Sequence, residues 1–135
     1  MTPKVKVSNL VSAAPVHEHP DGASSWGEAC IARVMLKKGV STTVTDQCQF
    51  EQRRREGNPI RKPTRWMSNC EDILDALSKR RSGKGGACSA TNIPHQVCSG
   101  RTAREAAIYP FALCRAMLEG FRAHLDKQGR MRSGV

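Results

Sequence analysis

The part of the chain that most constrains the fold is the stretch of residues 42–69. Its first third, residues 42–50, alternates β-branched with other side chains, as a half-buried strand does. Its last third begins at Pro63, which favours an extended backbone at Lys62 and removes one hydrogen-bond donor. A basic loop lies between the two segments. The pattern therefore predicts two β-strands, joined by this loop, at the centre of a small domain.

Helical patterns flank these strands. Ser25 and Glu28 have the spacing of a capping box, and apolar residues then recur on one helical face as far as Gly39. A second helix is predicted after Asn69. A third is predicted over residues 110–125, where apolar residues again follow the helical period.

The order of these segments predicts an α/β fold, with a small incomplete Rossmann-like sheet of three or four strands and about three helices. A first strand at residues 11–16, the first helix and the next strand form one βαβ unit. We expect residues 1–10 to be a flexible leader, residues 11–126 a single α/β domain and residues 127–135 a disordered tail. Within the domain, residues 82–102 form a long, Gly- and Ser-rich loop that we expect to be flexible.

The charge of the chain is strongly positive. Lys and Arg number 22 against 12 Asp and Glu, which gives a net charge of +10. Such an excess favours contact with a polyanion, most often nucleic acid, although a solvated basic surface without a ligand is the alternative. Part of the excess is concentrated around the basic loop, and the candidate phosphate-binding residues are Arg53, Arg54, Arg55, Arg61, Lys62 and Arg65.

Six cysteines occur, at positions 30, 48, 70, 88, 98 and 114. No apolar secretory segment precedes them, and no apolar run approaches the length of a membrane span. We therefore expect reduced thiols in an intracellular protein, nuclear or cytoplasmic, without a membrane partner.

Two groups of residues are candidates for chemistry. In the segment His17-Glu18-His19, Glu18 is a candidate general acid or metal ligand, although a solvated turn is the alternative interpretation. In the long loop, Cys88, His95 and Cys98 are candidate zinc ligands, with Cys48 or Cys70 as a fourth. Only the His95-x-x-Cys98 pair has a typical ligand spacing, so ordinary loop residues are the alternative here.

Five short motifs follow one another in a fixed order: Glu-His-Pro…Ala-Ser-Ser-Trp (18–26), Asp-Gln-Cys-Gln-Phe (46–50), Lys-Pro-Thr-Arg-Trp-Met-Ser-Asn (62–69), His-Gln…Ser-Gly-Arg (95–101) and Tyr-Pro…Leu-Cys-Arg-Ala (109–116). In this order they resemble a segment of the polyproteins of copia-type (Ty1-like) retrotransposons. The resemblance implies a retroelement-derived, non-catalytic fragment, with nucleic acid and other segments of the polyprotein as partners. The chain departs from it at Glu51, where a glycine is expected, and at Arg81, where a cysteine is expected.

Glu-x-Pro (18–20), Gln-Cys-x-aromatic (47–50) and Lys-Pro-Thr (62–64) are also similar, more distantly, to the C-terminal half of phage-type cytosine-5 DNA methyltransferases. That similarity implies that Glu18 faces a flipped base. The family's cofactor loop and Pro-Cys nucleophile do not occur before Glu18, so we expect no cofactor and no catalysis by this chain alone. The sequence leaves three functions open: sequence-nonspecific nucleic-acid binding, a methyltransferase-like domain completed by a partner, and a zinc-stabilised interaction module.

Overall fold

The secondary structure was obtained from a computed structural model that describes residues 14–53, 57–81, 88–95, 98 and 100–129. These ranges contain three strands: β1 (Val16–Pro20), β2 (Ser41–Asp46) and β3 (Pro63–Ser68). The α-helices of the described ranges are α1 (Ala29–Met35), α2 (Glu71–Leu77), α3 (Gly100–Glu105) and α4 (Phe111–Lys127). Single 3₁₀ turns cover Ser24–Gly27 and Gln47–Phe50. The predicted α/β class and the three-stranded sheet are confirmed, and α3 is an additional helix.

The three strands form one sheet in the order β1-β3-β2, and β3 is antiparallel to both neighbours. The strands of the βαβ unit, β1 and β2, are therefore parallel to each other but separated by β3. A Rossmann-like sheet would instead pair them directly. The described residues of the connection from β2 to β3 (47–53 and 57–62) contain no long crossover helix, and β3 returns along β2 as an antiparallel neighbour.

The first strand lies later in the chain than predicted. The sequence pattern places a strand at residues 11–16 and a turn from His17 to His19, whereas β1 begins only at Val16, contains His17 to His19 and ends at Pro20. The side chains of the His-Glu-His segment alternate between the two faces of the sheet. Because β1 is an edge strand, the missing N–H of Pro20 is tolerated at its end.

Several predicted segments fall partly or wholly outside the described residues. The leader, residues 1–10, and most of the tail, residues 130–135, lie there. Of the long loop, residues 82–87, 96, 97 and 99 also lie outside. Its described part contains a tight turn from Cys88 to Ile93, and its last residues already belong to α3.

The hydrophobic core lies between one face of the sheet and the helices α2 and α4. Trp66 is only 1% exposed and packs in one cluster with residues of both helices, among them Ile73 and Leu113. Its indole N–H donates a hydrogen bond of 3.0 Å to the hydroxyl of Thr45, which in turn donates to the carbonyl of Leu77. The buried polar groups of the three elements β3, β2 and α2 are thus connected in one chain.

The first helix packs less tightly than its sequence predicts. None of the α1 residues is buried, and Val34 is 36% exposed. The predicted capping box does not form, because the N-cap residue is Glu28 and no side chain bonds to the cap. None of the helices described is both long enough and apolar enough to cross a lipid bilayer.

Helices α2 and α4 come into close backbone approach at Gly120, which is buried within α4. A Cβ atom at this position would lie 2.7 Å from the carbonyl oxygen of Asp72 and 2.7 Å from the Cα atom of Ile73. Both contacts are with backbone, which cannot rotate away. The glycine, unfavourable for the helix by about 1 kcal/mol relative to alanine, is therefore required by the packing.

We expect Gly120→Ala to destabilise the protein by about 1–3 kcal/mol, because α4 must shift away from α2. Urea unfolding measures this change. Gly27→Ala is the matched control, since nothing lies within 4 Å of a Cβ atom there, and its stability should stay within about 0.5 kcal/mol of wild type. Equal stability of both variants would show that the two helices are not in backbone contact.

Candidate metal centre

The first residue of the candidate metal centre, Cys48, lies in the 3₁₀ turn that follows β2. The chain leaves the sheet at Asp46, and the turn ends at Glu51, whose φ of 69° is in the left-handed region. This turn directs the Cys48 side chain inward, and the residue is only 2% exposed.

Cys88 and His95 reach the same place from the long loop. The backbone N–H of Cys88 donates to the carbonyl of Ile93 at 2.7 Å, and that of Asn92 donates to the carbonyl of Cys88 at 2.6 Å. Asn92, with a φ of 59°, occupies the left-handed region that such a turn requires and that asparagine tolerates. The turn holds Cys88 in a buried position and His95 in a half-buried one.

The three side chains meet in one small volume. The Sγ atoms of Cys48 and Cys88 and a ring nitrogen of His95 all lie within 4.8 Å of one another, and Nε2 of His95 is 3.3 Å from the Cys48 Sγ. Around a zinc ion with Zn–S bonds of about 2.3 Å, tetrahedral ligand atoms lie roughly 3.5–3.8 Å apart. A metal ion therefore fits between the three atoms with shifts of about 1 Å or less. Gln49 lies beside them, with its side-chain N–H₂ 3.4 Å from the Cys48 Sγ.

The two thiols have different acidities. Burial raises the pKa of the Cys48 thiol to about 11, so Cys48 is protonated at neutral pH when no metal is bound. Burial also raises the pKa of Cys88, but hydrogen bonds from the backbone at Ala90 and Thr91, from the Thr91 hydroxyl and from Cys48 outweigh it. The pKa of Cys88 therefore lies below its ordinary value. Cys88 is the better first ligand, and binding of a metal must displace the proton of Cys48.

The predicted ligand set is only partly brought together. Cys88 and His95 are joined by Cys48, one of the two candidates for the fourth ligand. The other candidate, Cys70, is fully buried in the hydrophobic core with Trp66 and does not belong to the group. Cys98 is exposed and also lies outside it.

A cavity of about 430 Å³ opens beside Cys48. Gln49, Gln52 and Arg53 line one side of it, and Ile93 lies on the side of the loop. The cavity therefore connects the candidate metal centre with Arg53, the first arginine of the predicted basic loop.

Of the predicted basic residues that the structure describes, three make contacts within the fold. Arg65 pairs with Asp21 at 2.8 Å, and the ammonium group of Lys62 donates to the carbonyl of Ala106 at 2.8 Å. Lys62 has a φ of 35° instead of the extended backbone predicted before a proline. Arg53 is exposed and forms an isolated β-bridge with Pro59, while Arg54 and Arg55 lie outside the described residues.

Arg61 pairs with the buried carboxylate of Asp46. Its Nε atom is 3.1 Å from Oδ1, and the Nε of Arg80 is 3.1 Å from Oδ2. The backbone N–H of Arg81 donates to Oδ2 at 2.8 Å, and the Asp46 N–H itself donates to the carbonyl of Lys79. A fully buried carboxylate needs such partners. These arginines therefore support the end of β2.

Glu18 lies opposite Trp66 in the register of β1 and β3, on the face of the sheet that the helices cover. Burial and then a hydrogen bond with Glu18 raise the pKa of the Tyr109 hydroxyl, which sits beside Trp66. The carboxylate of Glu18 thus accepts a hydrogen bond within the packed face, which is a structural contact.

On the other face of the sheet, the structure shows a cluster that the sequence pattern does not reveal. The Trp26 ring stacks edge-on against His17 at 5.3 Å, and the guanidinium of Arg65 lies 5.5 Å from the centre of its ring. His19 lies 6.4 Å from His17. Trp26 is distant from Arg65 in the chain, and only the pairing of β1 with β3 brings them together.

The chain matches no protein-family model, no curated protein sequence and no solved structure.

We expect Arg61→Ser to lower the free energy of unfolding by about 1–3 kcal/mol, because the buried carboxylate of Asp46 loses one charged partner. Arg53→Ser is the control, since Arg53 is exposed, and it should change stability by less than about 0.5 kcal/mol. Denaturant unfolding of both variants measures the difference. Equal effects would mean that Arg61 is no more structural than Arg53.

Proposed function

We propose that this protein is a zinc-stabilised interaction module. The observation that carries the proposal is the convergence of Cys48, Cys88 and His95, whose ligand atoms lie within 4.8 Å of one another. Cys88 and His95 follow Cys48 by some forty positions or more in the sequence, so the fold brings the three residues together. Thiolate and imidazole together select zinc among the common cellular metals.

The size of the core supports a stabilising role for the metal. The chain has 39% hydrophobic residues and 4% aromatic residues, so a domain of this length has few large side chains for its interior. The loop at residues 88–95 contributes little to the main core cluster. A metal that joins this loop to the turn after β2 stabilises it.

We expect the purified protein to bind one zinc ion, measured by elemental analysis, and to lose thermal stability when a chelator removes it. Cys48→Ser, Cys88→Ser and His95→Ala should each weaken zinc binding strongly. Cys114→Ser is the matched control, because Cys114 is exposed on α4, and it should bind zinc as wild type does. Zinc content near zero in the wild-type protein would refute the proposal.

The same binding measurement has an expected pH dependence. The pKa of Cys48 is raised to about 11, so its proton must leave when zinc binds near neutral pH. Each released proton makes apparent affinity rise by about tenfold per pH unit. Zinc should therefore bind at least about 100-fold more tightly near pH 8 than near pH 6, and a flat profile would show that Cys48 is not a ligand.

Nucleic-acid contact is the second candidate function. It is supported by the net charge of +10 and by the cluster of Arg65, Trp26 and His17 on the face of the sheet opposite α2 and α4. Binding would be to phosphates and independent of sequence, because phosphate contacts carry no base information. Arg61, Lys62 and Arg65 each have a partner within the fold, whereas Arg53 is exposed.

A site that neutralises about four phosphates should give a log–log salt slope of about −3.6 on duplex DNA. Fluorescence anisotropy with a labelled duplex measures this slope. Replacing Arg53, Arg54 and Arg55 together by serine should flatten it. Arg115→Ser is the control, since Arg115 pairs with Glu119 on α4. No binding at tens of micromolar protein, or an unchanged slope in the triple variant, would exclude this candidate.

We also infer an origin in a retroelement polyprotein, for which the five ordered motifs are the support. A reading frame that continues into integrase or reverse transcriptase would test that origin. The methyltransferase-like alternative has less support, because Glu18 faces the packed helices and bonds to Tyr109.

A further inference from the structure

The candidate metal centre has three ligands, whereas structural zinc sites have four protein ligands. In the part of the chain that the structure describes, no further Cys, His, Asp or Glu places a ligand atom in the group. The cysteines that remain differ in their freedom to move. Cys70 is packed in the main core, while Cys30 and Cys114 are held within α1 and α4.

Cys98 is different from these three. It lies outside the helices and strands, its side chain is exposed, and it follows His95 by only three residues. Three residues span at most about 11 Å, so Cys98 is confined to the neighbourhood of the cluster. Two residues between neighbouring ligands is also a spacing that zinc sites use repeatedly.

We propose that Cys98 is the fourth ligand of the metal and completes a Cys₃His site; this inference rests on the proposed function. Binding turns the Cys98 thiol from solvent toward Cys48 and Cys88, and each thiol that coordinates releases its proton to water. Three thiolates and one Zn²⁺ ion leave a charge of −1. The basic surroundings compensate it, since the net charge is +10 and Arg53 lines the cavity beside Cys48.

A ligand at Cys98 has a consequence for the next helix. Helix α3 begins at Gly100, two residues after Cys98. The residue that follows its end, Ala106, is buried and accepts the hydrogen bond from Lys62. The metal would then hold the start of α3 in place, while Lys62 holds its end. Both contacts connect α3 to the segment between β2 and β3.

The test uses the full-length protein with Co²⁺ as the probe. Absorption from thiolate-to-cobalt charge transfer increases with the number of coordinated thiolates, so Cys98→Ser should lose about one third of it. Its zinc affinity should fall by at least about tenfold, since even partners outside the coordination shell contribute that much. Cys98→His should restore tight binding with the absorption of two thiolates.

The controls are Cys30→Ser and Cys114→Ser, both exposed cysteines on helices, which should keep the wild-type spectrum. Cys98→Ser is expected to fold normally because the side chain is exposed, and circular dichroism checks this. A Cys98→Ser spectrum equal to that of wild-type protein would overturn the inference and assign the fourth position to water or another molecule, with the three-residue site intact. Failure of the wild-type protein itself to bind Co²⁺ would instead reject the proposed function.

Discussion

The fold depends on the hydrogen-bond chain that runs from the indole of Trp66 through the hydroxyl of Thr45 to the carbonyl of Leu77. Trp66 is the largest fully buried side chain, and burial of its N–H without a partner would be costly. Thr45 satisfies it and at the same time donates to the carbonyl of Leu77, the last residue of α2. The apolar packing of the core and the orientation of α2 on the sheet are therefore set by one group of contacts.

The last residues of β2 and of the turn after it make contacts with several different parts of the molecule. Thr45 faces the core, Asp46 binds two arginines, and Cys48 belongs to the candidate metal centre. Gln47, between them, is also buried and donates to the hydroxyl of Thr64 on β3. One residue of the candidate metal centre, Cys48, therefore lies in a segment whose position is already fixed by contacts with the core. This placement favours a preorganised ligand at Cys48, in contrast to a site formed by loop residues alone.

The sequence predicted β2, from the alternation of its side chains, and the helix that follows Asn69, but not the packing between elements. On α4 the apolar pattern included Leu118, which is 67% exposed, whereas Leu113 is fully buried. The reason is Gly120, whose contact with α2 sets which face turns inward. In the site, Cys88 and His95 were candidates from the sequence together with Cys98, which lies outside the group in the structure. The sequence pattern does not show that Cys48, and not Cys70, joins the group, or that Arg61 pairs with Asp46. Both contacts depend on long-range topology, which periodicity does not reveal.

The carboxylate of Asp46 has an evolutionary consequence. Its two arginine partners come from different segments, one just before β3 and one just after α2. Replacement of the acid alone would leave two neighbouring guanidinium groups without compensation, and replacement of either base alone would weaken a buried charge. Substitutions at positions 46, 61 and 80 should therefore be inherited together among homologues, as a correlated triplet, while the exposed arginine at position 53 should vary independently.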